Sequence, residues 1–334
     1  MKKFQFSILA IVATLITSAF FSGCGNKQPA NWQKKEGLIW NTSYHITYNG
    51  PSELADSVIT TLARVGSSLS VFDTTSLVSQ VNRADSIPVN TDFIRVYVLS
   101  KQINKLSDGA FDPTLSPLIT AWGFGKGHQA TPDTVAIDSI LQFVGITKTH
   151  LRHDALLKDD PRIEFNFSAI AKGYGCDAVA EMFEQNGVSD FMIEIGGEIR
   201  LKGSNPSGGD WRISIDRPIF SPGKPVHESQ EIIAVTDMGI ATSGNYRNFH
   251  TSESGETYGH VISTETGRPT ITDVISATVI SSTAMEADGL STAFMAMGSG
   301  NVKKLNEKLR LPVMLVLSDS TVWTSPQFEK LIQK

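Results

Sequence analysis

Cysteine is almost missing from this chain: Cys24 and Cys176 are the only two among 334 residues. No disulfide framework and no zinc knuckle can be built from two cysteines. A large excess of either charge is missing too, since 29 Lys+Arg stand against 34 Asp+Glu for a formal net charge of −5. A protein that grips duplex nucleic acid needs a basic face, so no nucleic-acid partner is expected. Internal repeats and low-complexity tracts are absent, and the only long apolar run lies at the N-terminus. Collagen-like, disordered and multi-span membrane architectures are thereby excluded. What is present, 40% hydrophobic and 19% charged residues, is a globular composition long enough for one large domain or two lobes sharing a core.

The first residues are of a different character. Lys2 and Lys3 precede the apolar run Phe4 to Ile16, which gives way to small residues ending at Gly23-Cys24. The run is too short for a confident transmembrane helix and has the layout of a secretory signal. Residues 1–23 are therefore read as a lipoprotein signal peptide, with Cys24 as the residue that is lipidated once the signal is cut; Phe21 departs from the usual Leu of such sites. The rival reading is a secreted protein with a chance cysteine. Lipidation at Cys24 would leave Cys176 without a partner, and its apolar surroundings make it a small core residue. Residues 24–37 read as the lipidated cysteine and a polar tether without periodicity, and 38–334 as the folded domain.

Within that domain the period changes along the chain. Residues 44–48 alternate as a strand, and Leu54, Val58, Leu62, Val65 and Leu69 step by three or four, as on one face of a helix. A second helix carries the stripe Val96, Leu99, Ile103 and Leu106 and stops at Asp108-Gly109. A third runs from about Ala171 to Asn186, with Gly187 as its C-terminal cap. Beyond Gly187 the period falls to two at Phe191, Ile193 and Ile195 and at Trp211, Ile213 and Ile215. The runs 232–235 and 274–280 read as further strands, and helices are expected around 284–297 and 302–309. Strand runs mixed with helices, without regular strand-helix alternation, indicate an α+β architecture.

Few residue clusters suggest chemistry. Gly123-Phe124-Gly125-Lys126-Gly127 looks like a phosphate cradle but has no strand before it or helix after it, so it reads as a turn. His150 and His153 have the spacing of one helical face but no third ligand nearby. Asp288 and Thr292, one turn apart on a helix, stack a carboxylate above a hydroxyl. Such hard oxygens suit Mg²⁺, which takes few protein ligands and completes its shell with water and substrate phosphates. The same pair also fits a solvated Asp and a Thr bonded to its own helix backbone. His260 lies on a short strand-like piece before the turn Thr266-Gly267-Arg268-Pro269. It is either an ordinary strand histidine or a candidate base.

Six motifs then occur in order: GAFDPTLSPLITAWGFG (109–125), SAIAKGYGCD (168–177), IGGEIRLKG (195–203), IATSGNYRNF (240–249), HVISTETGRP (260–269) and AMEADGLSTAFMAMG (284–298). Together they resemble the ApbE-type FAD:protein FMN transferases, exported bacterial lipoproteins, over residues 38 to 332. The resemblance implies an α+β fold of two closely joined lobes of mixed or antiparallel sheet with packed helices and a flavin cleft between them. It implies that FAD is the substrate, that its pyrophosphate is cut, and that FMN passes to a Thr or Ser hydroxyl of a partner flavoprotein, such as a membrane respiratory complex subunit, with AMP released.

By the same resemblance Asp288, Thr292 and the carbonyl of Ala169 hold Mg²⁺, and His260 is the general base. Trp40, Phe72, Ala110, Phe111, Asp112, Asn166, Lys172 and Ile262 lie against FAD, and Ser243 to Arg247 form a turn near the flavin. The expected location is the periplasmic face of the inner membrane, with a lipid anchor. Rival implications are a FAD pyrophosphatase for flavin scavenging and a lipoprotein that only holds flavin. The chain departs from the family pattern at Trp40-Asn41-Thr42, where Met-Gly-Thr is usual, and at Phe72, where Tyr is common. It departs again at Asn166, where Asp is frequent, and at Ser263-Thr264, where Asp-Pro is usual.

Overall fold

A computed structural model of the chain describes residues 31–124, 134–219, 228–245, 249–251 and 257–333. Its strands are β1 (Trp32–Ile39), β2 (Thr42–Asn49), β3 (Ser86–Pro88), β4 (Thr149–Arg152), β5 (Ala155–Lys158), β6 (Phe191–Ile195), β7 (Glu198–Lys202) and β8 (Trp211–Asp216). They continue with β9 (Ser229–Val235), β10 (Gly239–Gly244), β11 (Phe249–Thr251), β12 (Thr257–Gly259), β13 (Val274–Ser281), β14 (Val313–Leu317) and β15 (Val322–Thr324). The helices are α1 (Leu54–Leu69), α2 (Leu77–Arg83), α3 (Thr91–Leu106), α4 (Ser116–Ala121), α5 (Thr134–Leu141), α6 (Ala171–Gln185), α7 (Ala284–Leu309) and α8 (Pro326–Glu329).

One sheet holds eight strands in the order β1-β2-β6-β7-β10-β13-β14-β15, with every neighbouring pair antiparallel. Two-residue turns build two of its hairpins. Trp40 and Asn41 take φ of 50° and 62°, and Gly196 and Gly197 take 65° and 102°. Paired positive φ gives a turn whose twist matches that of the strands it joins. Asn tolerates this conformation where most side chains do not, so Asn41 keeps the turn in which the family usually has glycine. The smaller sheets are β3-β5-β4, β8-β9 and β11-β12, and the fold is α+β.

Helices α1 and α6 cover one part of the large sheet. Leu54, Val58 and Leu62 meet Val179 and Phe183 over Ile46, Phe191 and Ile193, all buried. Cys176 lies in this core, as its surroundings in sequence suggested, and its thiol donates to the Glu198 carbonyl at 3.2 Å. Helix α7 lies on β10 and β13 and crosses α6. It breaks at Gly298, where φ is 75°, and the Asp273 carboxylate restarts it by accepting from Ser299 N at 2.9 Å and Ser299 Oγ at 2.5 Å.

Three expectations need correction. Residues 32–37, assigned to the tether, are strand β1; the fold begins at Trp32, whose ring meets Trp211 edge-on at 6.1 Å. An edge strand turns its charged side chains to water, which hid the period in a lysine-rich stretch. The buried face of α3 is Phe93, Val96, Tyr97, Ser100 and Ile103, while Leu106 is exposed. His150 and His153 share no helix: His150 is in β4 with Asp159 at 3.0 Å, and His153 is in the following turn at φ 57°. The signal segment with Cys24, residues 125–127 of the glycine-rich loop, Tyr246 and Arg247 lie outside the described residues. Among the described residues no helix is long and apolar enough to cross a membrane.

Candidate active site

The crossing of α6 and α7 places the first group of chemical residues. Gly173 permits the crossing: a Cβ there would lie 2.3 Å from the Ala284 carbonyl oxygen and 2.8 Å from Asp288 Cβ. The start of α7 is fixed by Asp177, whose carboxylate accepts from Ala284 N at 2.9 Å and Met285 N at 2.8 Å. Burial lifts the Asp177 carboxyl to about 6, against the pull of those two N–H groups and of Arg200. This clamp sets the rotation of α7 and so aims Asp288, one turn further on, at the first turn of α6.

Asp288 is buried, and its Oδ2 accepts from Gly173 N at 3.0 Å. The first turn of α6 thus directs the Gly173 N–H to Asp288 and not to the Ala169 carbonyl four residues earlier. Helix N-terminal N–H groups favour a carboxylate. Burial raises the Asp288 pKa, opposed by the Lys172 charge and the Gly173 hydrogen bond. One turn along, Thr292 Oγ1 lies 3.1 Å from Ser243 Oγ, which is itself 2.8 Å from Ser291 Oγ. The Thr292 hydroxyl is therefore oriented by β10, where its sequence also allowed a bond to its own helix backbone, and the buried Asp288 is not the solvated carboxylate of that reading.

Lys172 and Glu198 complete this group. Lys172 Nζ is 3.4 Å from Glu198 Oε1, with side-chain exposures of 31% and 7%. Burial acts to lower the Lys172 pKa, but Asp288 and Glu198 reverse this and hold the ammonium above the usual lysine range. Burial raises the Glu198 carboxyl, opposed by Lys172 and reinforced by Asp288. Glu198, within the IGGEIRLKG motif, did not stand out as a site residue in the sequence. Its signal was an acid placed straight after a Gly-Gly turn at the head of an otherwise half-buried strand.

A second group surrounds His260. This residue follows β12, and its ring lies 6.2 Å from that of Phe124. Gly259 lies against Asn245: a Cβ on Gly259 would be 2.3 Å from the Asn245 side-chain carbon and oxygen. Asn245 is two residues beyond Ser243, so the end of β10 joins the Thr292 hydroxyl to the residue before His260. The following turn is pinned by Trp122, whose indole N–H donates to the Gly267 carbonyl at 2.8 Å, and by Thr270 N donating to Val261 O at 2.8 Å. Ile262 is buried. Ser263 shares a cleft with Ala110 and with Lys304 and Lys308 of α7.

The remaining expected residues are placed as follows. Phe111 is buried, and Asp112 is engaged by Thr114 Oγ1 at 2.6 Å, Thr114 N at 2.8 Å and Ile146 N at 2.9 Å. Their side chains therefore serve the loop, and a ligand would meet the loop at its backbone or at Ala110. Trp40 is wedged between two helices, since Cβ atoms at Gly66 and Gly175 would lie 2.6 Å from its indole atoms. Phe72 is 56% exposed, in the turn after α1. Asn166 accepts from Ser168 N at 2.9 Å and so shapes the segment carrying Ala169 into α6.

A carboxylate, an oriented hydroxyl and a carbonyl freed from helical bonding form a set of hard oxygen donors. Among the described residues no cluster of three or more His, Cys, Asp or Glu could hold a metal. Any cation at Asp288 would thus have few protein ligands, the manner in which Mg²⁺ is usually bound beside phosphates, and the residues fit that ion.

The chain is similar to known proteins over most of its length. The sequence model of the ApbE family matches residues 40–315. A FAD:protein FMN transferase of Vibrio cholerae is 35% identical over 319 residues, covering 92% of this chain and 93% of its own length. One from Escherichia coli K12 is 31% identical over 346 residues, covering 96% and 97%. The solved structure of a flavin transferase from Vibrio cholerae superposes with a TM-score of 0.81 at 32% identity, over 91% of this chain and 100% of that one.

Proposed function

This chain belongs to the ApbE family, and on that premise we propose that it is a Mg²⁺-dependent FAD:protein FMN transferase. The reaction we assign to it moves FMN from FAD to a Thr or Ser hydroxyl of a partner flavoprotein. The hydroxyl oxygen forms a bond to the flavin-side phosphorus, the bond from that phosphorus to the bridging oxygen breaks, and AMP leaves with the electron pair. The acceptor proton goes to His260, a half-exposed imidazole of the kind suited to general base work near neutral pH. Positioning and charge neutralisation dominate such a transfer. The observation that carries the proposal is that Asp288 accepts from Gly173 N in the first turn of α6, next to Lys172 in sequence, with Thr292 one turn further along α7.

Each residue has a stated part. Asp288, Thr292 and the Ala169 carbonyl would hold Mg²⁺, which when bound polarises the phosphorus and stabilises charge on the leaving group. Lys172 offers its ammonium to the pyrophosphate. Trp40, Phe72, Asn166, Ile262 and the Ala110-Phe111-Asp112 loop would line the flavin nucleotide. We place the protein at the periplasmic face of the inner membrane, anchored by lipid on Cys24 and acting on an acceptor in that compartment. The support for this location is the tripartite leader before Cys24.

The test is incubation of the protein with FAD, Mg²⁺ and an acceptor domain, followed by denaturing electrophoresis. A flavin-fluorescent acceptor band that requires both FAD and Mg²⁺ is expected. FMN and AMP without a labelled band would make the protein a pyrophosphatase, and neither product would reduce it to a flavin-binding protein.

A further inference from the structure

Glu198 has no part in the chemistry above, yet it is a carboxylate with a 7% exposed side chain, and its Oε2 has no hydrogen-bond partner. A buried carboxylate with an unsatisfied oxygen is costly unless a nearby charge offsets it. Here that charge is the Lys172 ammonium, 3.4 Å from Oε1. The lysine stem reaches Glu198 over the β6-β7 turn: at Gly196 a Cβ would lie 3.1 Å from Lys172 Cδ and 3.0 Å from Thr42 Oγ1. Lys172 Nζ also donates to the Ser168 carbonyl at 3.4 Å. Asp288 acts on the same ammonium. One lysine is thus paired with the buried carboxylate at the head of β7 and lies within the field of a second on α7, with which it makes no ion pair.

We infer that Glu198 is a positioning residue that holds the Lys172 ammonium off Asp288, leaving that carboxylate open to a divalent cation and the ammonium open to phosphate. This rests on the cation site proposed above. Lys172 has a flexible four-carbon stem and a compact charge, so its resting place is set by its partners. Without Glu198, Asp288 is the carboxylate left for it to pair with. An ammonium on Asp288 would both occupy oxygen lone pairs and repel a metal ion. The lone-pair orphan on Glu198 and the partial exposure of Lys172 follow from the same arrangement, because the ammonium is shared out and is not sealed into a tight pair.

The experiment is a titration of the full protein, without FAD, by Mn²⁺, a hard-oxygen probe whose free form is read by electron paramagnetic resonance. Turnover plays no part in this readout. Glu198→Ala is expected to weaken Mn²⁺ binding about tenfold or more, the range for lost support of a metal ligand. Glu198→Gln, which keeps an oxygen to accept from Lys172, should fall between wild type and Glu198→Ala. In a Lys172→Met background, Glu198→Ala should change the affinity by no more than about twofold, because the group it restrained is gone.

Equal binding by wild type and Glu198→Ala overturns the inference. So does a loss of the same size with Lys172→Met present, which would mean that Glu198 acts as a bare negative charge or through the fold. If Glu198→Ala does not fold, as judged by its thermal melt, the Gln variant carries the same cycle. Absence of Mn²⁺ binding in the wild type overturns the cation site and this role together, whereas normal wild-type binding with an unaffected Glu198→Ala removes only the role of Glu198.

Discussion

Asp288 is the single charged donor in the proposed cation site, and its orientation depends on one hydrogen bond from Gly173 N. Asp288→Ala should therefore lower turnover by about a hundredfold or more, and moderate extra Mg²⁺ should not restore it. Full activity in that variant, measured by AMP release, would remove Asp288 from the site. His260 makes a different prediction. As a general base it should be separable from binding: His260→Gln is expected to slow single-turnover transfer by about two to four orders of magnitude with FAD affinity nearly intact. Parallel loss of affinity in a fluorescence titration would make it a pocket residue instead. Asp177 predicts a pH dependence of folding. Its carboxyl titrates near 6 in the folded protein, against an ordinary value of 3.8, so the folded state binds a proton that the unfolded state has lost. Stability from this group is present below about pH 4 and is lost as pH rises through 6, by about 3 kcal/mol. Asp177→Asn should abolish that part of the slope in denaturant unfolding at several pH values; an unchanged slope would assign it elsewhere. At this scale Asp288, Thr292 and His260 stood out in the chain as candidates, because i to i+4 spacing and residue type carry information, but each kept a second reading that only the motif resemblance decided against. Glu198 did not stand out, because its place beside Lys172 arises from a strand that the chain brings near α6 only after folding.

The elements differ in how plainly they are written in the chain. Helix α1 was legible to its buried stripe, and α6 to its capping glycine, because each buries one continuous face. Strands β6, β8 and β13 were legible from their alternation or apolar content. Strand β1 was missed because edge position lets charge cover a period of two, and β3, β4 and β5 because strands of three or four residues carry too few apolar positions to show one. The crossing of α6 and α7 was not legible either, since Gly173 and Gly175 look like helix-weakening residues until a neighbour fills the space. That crossing makes a prediction of its own. Gly173→Ala puts a methyl where the Ala284 carbonyl lies 2.3 Å away, so α7 must move. Overpacking of this kind costs about 1–3 kcal/mol, and the same shift should pull Asp288 from Gly173 N. A melt and an activity assay should both fall; an unchanged melting temperature with full activity would show the crossing to be looser than the geometry implies.

As a whole molecule, residues 32–333 bring the motifs on α6 and α7 together with the end of β10 and the head of β7. No single stretch contains the site, which is why residue spacing alone left each motif with two readings while their order along the chain pointed to one family. Two of the proposed cation donors, Asp288 and Thr292, come from α7 and the third, Ala169, from the segment before α6, whereas His260 stands in the bend just after β12. In the proposed reaction a hydroxyl of the acceptor protein, and not water, takes the FMN. The most direct measurement is a single-turnover reaction with FAD, Mg²⁺ and an acceptor domain, in which intact acceptor mass and released nucleotides are quantified together. The expected result is an acceptor heavier by one FMN less one water, one AMP for each acceptor modified, and no free FMN. An acceptor of unchanged mass beside equal amounts of FMN and AMP would contradict it.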